Sequence, residues 1–260
     1  MNYNANMNYT LQEILIFIFG FLGTIVIGEI LYYFLADKSL KTRTIPLKVI
    51  TVIIVVLEII KQIRELVVGY NLFAIPLHFC SLFVFLYPLA CFSKGRFKGY
   101  AQTTATIFSL MVGIAYIFNP KLIIQDAGQT FFSRFGSFHT VVFHMLVYAY
   151  AVFSLFLNVY EAKIGRDMLV VCVSISIYWV IAIVASYSIG VNFNNVLKSG
   201  FPPFETFRQT YGNLPYLILI IPLFIMYGLA NVYLYHLLNG LVNKRFYAKK
   251  RSNKKEEASY

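Results

Sequence analysis

The chain is 260 residues long, 59% hydrophobic and only 13% charged, with a mean hydropathy of +0.68. A soluble domain is closer to half apolar and a quarter charged, so a water-soluble fold, a zinc-finger array and a disordered chain are excluded. The net charge of +11 does not point to nucleic acid, because the basic residues sit between apolar runs and at the C-terminus, where they set membrane topology.

A helix that crosses a bilayer needs roughly 20 mostly apolar residues. Seven stretches meet that requirement: about 11–35, 47–66, 72–92, 101–118, 138–158, 168–189 and 214–238. Each must be helical, because an isolated strand in lipid leaves its backbone unpaired. Barrel strands are excluded by length, since they run to about ten alternating residues. The predicted fold is therefore all-α, a polytopic membrane protein with seven transmembrane helices in one membrane domain (residues 11–243). An N-terminal tail (1–10) precedes it and a basic tail (244–260) follows it.

Basic residues follow the first stretch (Lys38, Lys41, Arg43, Lys48), the third (Lys94, Arg96, Lys98) and the fifth (Lys163, Arg166), and they crowd the C-terminal tail. The positive-inside rule then puts the N-terminus outside and the C-terminus in the cytoplasm, which requires an odd number of crossings. The tail run KRFYAKKRSNKK reads as a topology anchor that can also meet anionic lipid. Residues 1–10 carry no Lys or Arg, so no cleavable signal is expected.

Ionisable groups within the membrane are costly and mark candidate functional sites. The second stretch carries Glu58, Lys61, Gln62 and Glu65, spaced so that they share one helical face. Lys61 can pair with Glu58 or Glu65 along it, while Arg64 falls outside that arc and can snorkel outward. The stripe is either a self-neutralised packing element or the charged wall of a polar cavity.

The third stretch opens Asn71-Leu-Phe-Ala-Ile-Pro76-Leu-His78-Phe-Cys80-Ser81. Pro76 suits the first turn of a helix, which places Cys80 about one turn from a helix N-terminus, where the dipole favours a thiolate. On a regular helix His78 and Cys80 face opposite ways, so a base for Cys80 has to come from another helix. Cys91 and Cys172 read as inert filler. Three cysteines without CxxC spacing predict no disulfide scaffold.

The fifth stretch supplies His139 and His144. His144 falls at nearly the depth of Cys80, and His139 is turned well away from it. No HxxxH or His–carboxylate spacing supports a metal, and no cofactor is expected. The connection GVNFNNVLKSGFPPFETFRQTYGN, about 190–213, is long enough to be a lid or binding loop, with Asn192 a candidate oxyanion donor. Glu58, Lys61, His78, Cys80, His139, His144 and Asn192 all fall in the outer half. The inner half offers only Glu29, Asn231 and His236 near helix ends.

At these residues a family resemblance appears. IPLHFCSLFVFL resembles the Pro-Leu-His-x-Cys segment of the YwaF-like bacterial integral membrane proteins. FHTVVFHMLVYAYAVFSLF is similar to their fifth-helix His segment. GVNFNNVL with Pro202-Pro203 and NLPYLILIIPL is similar to their Gly-x-Asn-Tyr loop and last helix, with Phe193 in place of the Tyr. Relatives of that group include a multi-pass acyltransferase that makes ether phospholipids, with a Cys proposed as nucleophile. The resemblance implies a thiol-dependent lipid acyltransferase or lipid hydrolase, with Cys80 as nucleophile and His144 as base. Glu58, Lys61, His78, His139 and Asn192 would bind the substrate, and membrane lipids would be the partners. The alternative is a transporter or substrate-capturing membrane subunit with an outer polar cavity and no covalent chemistry, although no inverted repeat is evident. The Asn-, Lys-, Ile- and Tyr-rich composition favours a bacterial plasma membrane.

Overall fold

The computed structural model describes residues 9–121 and 125–257, with side chains as far as Phe246 apart from those of residues 125 and 126. Most of the expected N-terminal tail lies outside the described residues, as do the basic side chains from Lys249 onward. Every regular element among the described residues is helical.

Helix α1 (Leu11–Leu35) begins at a capping box: Glu13 N–H donates to Thr10 Oγ1 at 3.2 Å and Thr10 N–H to Glu13 Oε2 at 2.8 Å, pairing two otherwise orphaned donors. A single turn, α2 (Leu40–Arg43), leads into α3 (Ile45–Val68), which has Pro46 in its first turn. After a broken stretch come α4 (Phe83–Phe92), α5 (Gly95–Phe118), α6 (Phe135–Phe156), α7 (Ile164–Ile189), the short α8 (Pro202–Tyr211) and the long α9 (Asn213–Glu257).

Five of these helices are long and apolar enough to cross a membrane: α1, α5, α6, α7 and α9 as far as Phe246. Helix α5 is the centre of the bundle and packs against α4, α6, α7 and α9. Its apolar window is 67% buried, whereas that of α1 is 17% buried. The inner face of α5 is small and hydroxylated, which permits close approach and inter-helix hydrogen bonds. Thr104 and Ser174 hydroxyls lie 2.9 Å apart, and those of Ser109 and Tyr87 2.7 Å apart. Helix α9 comes equally close to α7, where a Cβ on Gly228 would stand 2.6 Å from Ile175 Cδ1. Outward, α1, α7 and α9 expose Phe19, Leu22, Val180, Val184, Ile218 and Met226. Apolar surface on that scale is stable only against lipid.

The third expected helix is the main departure. Residues 72–92 do not form one spanning helix. They form a 3-10 turn (Leu72–Ala74), a tight bend in which the Leu77 amide donates to the Ile75 carbonyl, a second 3-10 turn (Phe79–Leu82) and only ten α-helical residues in α4. Pro76 forbids the helical conformation to the residue before it, and Ile75 is accordingly extended, as is His78. Pro76 is therefore not in the first turn of a helix, and Cys80 lies in a 3-10 turn that precedes one. The loop after α7 also differs, since α8 starts on Pro202-Pro203 within it. Helices α5, α6, α7 and α9 outrun their apolar stretches, because polar residues continue a helix after hydropathy has ceased to mark it.

Helix α3 carries Lys48, Glu58, Lys61, Arg64 and Glu65, which sets it apart from the five apolar helices. It nevertheless packs antiparallel on α6. Arg43 Nη1 donates to the Leu157 carbonyl at 2.7 Å below one end, and Glu58 meets His139 near the other.

Candidate functional site

The end of α3, the 70–82 turn and the start of α6 form one polar cluster. Leu47, Ile50, Thr51, Ile54 and Glu58 make the buried stripe of α3, so the carboxylate continues a face that packs inward. Glu58 Oε1 accepts from Lys61 Nζ at 2.8 Å and from Gln62 Nε2 at 2.7 Å. Its Oε2 faces His139 Nε2 at 3.5 Å. Glu65 pairs with Arg64 at 3.1 Å and not with Lys61. Gln62 ties the cluster to the broken segment by donating to the Ala74 carbonyl at 2.8 Å and accepting from Tyr70 Oη at 2.7 Å.

The structure brings Glu58, Lys61 and His139 together. His78 packs between Phe73 and Phe193, with ring centroids 4.2 and 5.1 Å away. Phe193 is fully buried, and its amide donates to Ser186 Oγ at 3.1 Å. His144, on another face of α6, packs against Tyr116 with centroids 6.0 Å apart. Cys80 is half-buried, and the residue before it, Phe79, packs on Tyr178, whose hydroxyl donates to the Leu77 carbonyl at 3.4 Å. No hydrogen bond joins Cys80 to His144 among the described residues. Asn192 is committed to its own loop: its Oδ1 accepts from the amides of Leu197 and Lys198 at 2.8 and 3.1 Å, and its Nδ2 donates to the Lys198 carbonyl at 2.7 Å.

This end keeps several hydrogen-bonding groups unspent. His78 Nε2, His144 Nε2 and Tyr116 Oη are buried without a hydrogen-bond partner, and His139 Nε2 faces only the Glu58 carboxylate at 3.5 Å. For His144 the tautomer follows from the geometry. Nδ1 stands 2.7 Å from the Thr140 carbonyl, which can only accept, so Nδ1 carries the proton and Nε2 presents a lone pair. No group of three His, Cys, Asp or Glu side chains among the described residues is placed to hold a metal.

Glu205 organises α8 and the loop before it. It accepts from Arg208 Nη2 at 2.7 Å and from the Ser199 amide at 2.8 Å. The guanidinium beside it lowers its carboxyl from the ordinary 4.5 to about 2.

Sequence reasoning missed the Tyr178 and Tyr116 neighbours and a second polar network at the opposite end. There the fully buried Asp167 accepts from Arg166 Nη2 at 2.7 Å, from the Lys163 amide at 2.6 Å and from Thr103 Oγ1 at 3.2 Å. Tyr160, Asn158, Asn239 and Asn243 extend the network to α9. A run of Asn at 239 and 243, one helical turn apart on an apolar helix, was the available signal.

The bundle, with its lipid-facing exterior and polar clusters at both ends, defines an all-helical multi-pass membrane protein. The TMEM164 family matches residues 8–233, from before α1 to well into α9, and the chain belongs to that family. No curated protein and no solved structure matches it.

Proposed function

We propose that the protein is a thiol-dependent lipid acyltransferase or lipid hydrolase whose reaction runs at the Cys80 and His144 end of the bundle. The observation that carries this reading is the fixed tautomer of His144: a buried Nε2 lone pair with no protein partner, beside an equally unpartnered Tyr116 hydroxyl. That pair would receive a hydroxyl or water, as a general base does. Cys80 Sγ would attack an acyl ester carbonyl; the C–O bond breaks, the leaving oxygen takes the thiol proton by way of His144, and a thioester remains. An acceptor hydroxyl or water then gives its proton to His144 and attacks the thioester; the C–S bond breaks, and His144 returns the proton to the Cys80 thiolate. Lys61, held by Glu58, would bind a phosphate headgroup, with His78 and His139 beside it. Asn192 would act through the loop it shapes.

We read the topology as seven crossings, with the N-terminus outside and the C-terminus in the cytoplasm of a bacterial plasma membrane. The antiparallel run of α3 along α6 supports the two extra crossings. So does the contact of α4 with α3 through Cys91 Sγ and Thr51 Oγ1, 3.2 Å apart.

In liposomes, the wild-type protein should move acyl groups from a phospholipid to a labelled lysolipid or water, and Cys80→Ala and His144→Ala should each abolish this while inserting normally. Wild-type turnover by Cys80→Ala would remove the nucleophile assignment. The absence of a Cys80–His144 hydrogen bond favours a second reading, a transporter or substrate-capturing subunit, which predicts saturable lipid binding that survives Cys80→Ala and no turnover.

A further inference from the structure

We infer that the crevice between α3, α4, α5 and α6 at the Asp167 end binds a phosphate monoester, held by Lys48 and Lys98. Lys48 on α3 and Lys98 on α5 both line this crevice, with Thr44 and Gln102 beside them. All four are half-buried, whereas Thr106 and Ser154, which line it further in, are fully buried. Among the described residues, neither lysine side chain nor the Gln102 amide has a hydrogen bond or an ion pair. No acidic side chain lines the crevice. Arginines at the same end are spent on the protein itself. Arg43 donates to the carbonyls of Leu157 and Asn158 at 2.7 and 3.1 Å, and Arg166 pairs with Asp167 at 2.7 Å. Lys48 and Lys98 are therefore two positive charges gathered at one opening with no acid to answer them.

Charge and size identify the ligand. Like charges at one opening repel, and an anion that meets both removes that cost. A phosphate monoester carries close to two negative charges at neutral pH and presents three free oxygens, so it answers both lysines. A phosphodiester or a halide carries a single charge and leaves one lysine unanswered. The crevice has about 20 Å³ of free space, the room of one water-sized group. An acyl chain or a ring cannot enter it, but one oxygen of a terminal phosphate can. That oxygen would meet the hydroxyls of Thr106 and Ser154, which stand 3.4 Å apart and engage each other only weakly. The Gln102 amide supplies a further donor next to the lysines. Basic pockets between membrane helices seat phosphorylated headgroups, and a soluble phosphate presents the same chemistry.

This site takes no part in the thiol chemistry, and its test measures binding, not turnover. The full chain in a nonionic detergent is titrated at constant ionic strength with dihexanoyl phosphatidic acid, dihexanoyl phosphatidylglycerol and inorganic phosphate. Binding is followed by calorimetry against protein-free micelles. Phosphatidic acid should bind about tenfold more tightly than phosphatidylglycerol, in wild type and in Cys80→Ala alike. Lys48→Gln and Lys98→Gln should each weaken its binding about tenfold, as one lost hydrogen bond to a charged group does. Lys41→Gln, at an exposed position of the same end, should leave it unchanged. Gln102→Phe keeps both lysines but obstructs the opening, and should weaken binding as much as either lysine variant. Variants are compared only when they elute as the same species as wild type. Inorganic phosphate that binds as tightly as phosphatidic acid makes a soluble phosphate the ligand, and weaker binding makes it a lipid headgroup. Equal affinity for the two lipids, displacement of phosphatidic acid by equimolar chloride, equal effects of Lys41→Gln and Lys48→Gln, or no binding at all overturns the site.

Discussion

The two ends of the bundle both bury acids, and they treat them differently. At the Asp167 end both carboxylate oxygens are met by donors at 2.6–3.2 Å, and hydroxyls and amides carry the network across α5, α7 and α9. At the Glu58 end the carboxylate is likewise paired, with His139 among its partners, but the Nε2 atoms of His78 and His144 and the Tyr116 hydroxyl are buried without a hydrogen-bond partner. Buried polar groups in native structures are nearly always paired. A completed network rigidifies a fold, whereas a buried group without a partner is a place where something binds or reacts. On the proposed reading, the Asp167 end is architecture and the His144 end is where chemistry would run.

Substitutions at the two ends should therefore separate activity from stability. The largest effect expected is at the reactive end, where His144→Ala lowers acyl transfer by about 10²- to 10⁴-fold, the usual contribution of a positioned base, with little change in thermal unfolding in detergent. Next comes Asp167→Ala. It strands Thr103, Tyr160 and the Lys163 amide and should destabilise the fold by about 1–3 kcal/mol, read as a fall in Tm, while the surviving folded fraction keeps its specific activity. Glu58→Gln should fall between the classes. It leaves Lys61 without its counter-ion and should raise KM for a phosphorylated lipid more than it lowers kcat. Equal losses of activity and stability at both ends would dissolve the distinction.

The smallest effect concerns the α8 loop. Because the folded carboxyl of Glu205 is lowered from 4.5 to about 2, its pairing stabilises the loop fully above the ordinary value. That contribution should fade as the pH drops from about 4.5 towards 2. Proteolysis between residues 196 and 201 should rise over that window in the wild type, and Glu205→Gln should already be susceptible at neutral pH.

Much of this architecture was legible in the sequence. Hydropathy located the apolar core of each long helix, and the i, i+3 spacing of Glu58 and Lys61 foretold their ion pair. The third segment was misread because hydropathy counts apolar residues and is blind to the backbone break that Pro76 and the extended Ile75 impose. That break also removes the argument that His78 and Cys80 must face opposite ways, which holds only on a regular helix. The meeting of His139 with Glu58 depends on how α3 packs on α6, and no local pattern encodes it. Asp167 was missed because, next to Arg166 and close to a helix start, it reads as a loop charge until α5 is seen to cover it.

The most direct test of the central claim is thiol labelling in native membranes with a lipid-like electrophile near neutral pH, with the modified cysteine identified by mass spectrometry. The account predicts that Cys80 is modified selectively over Cys91 and Cys172, and that the selectivity disappears in His144→Ala. Equal reactivity of the three cysteines, or undiminished labelling of Cys80 in His144→Ala, would contradict it.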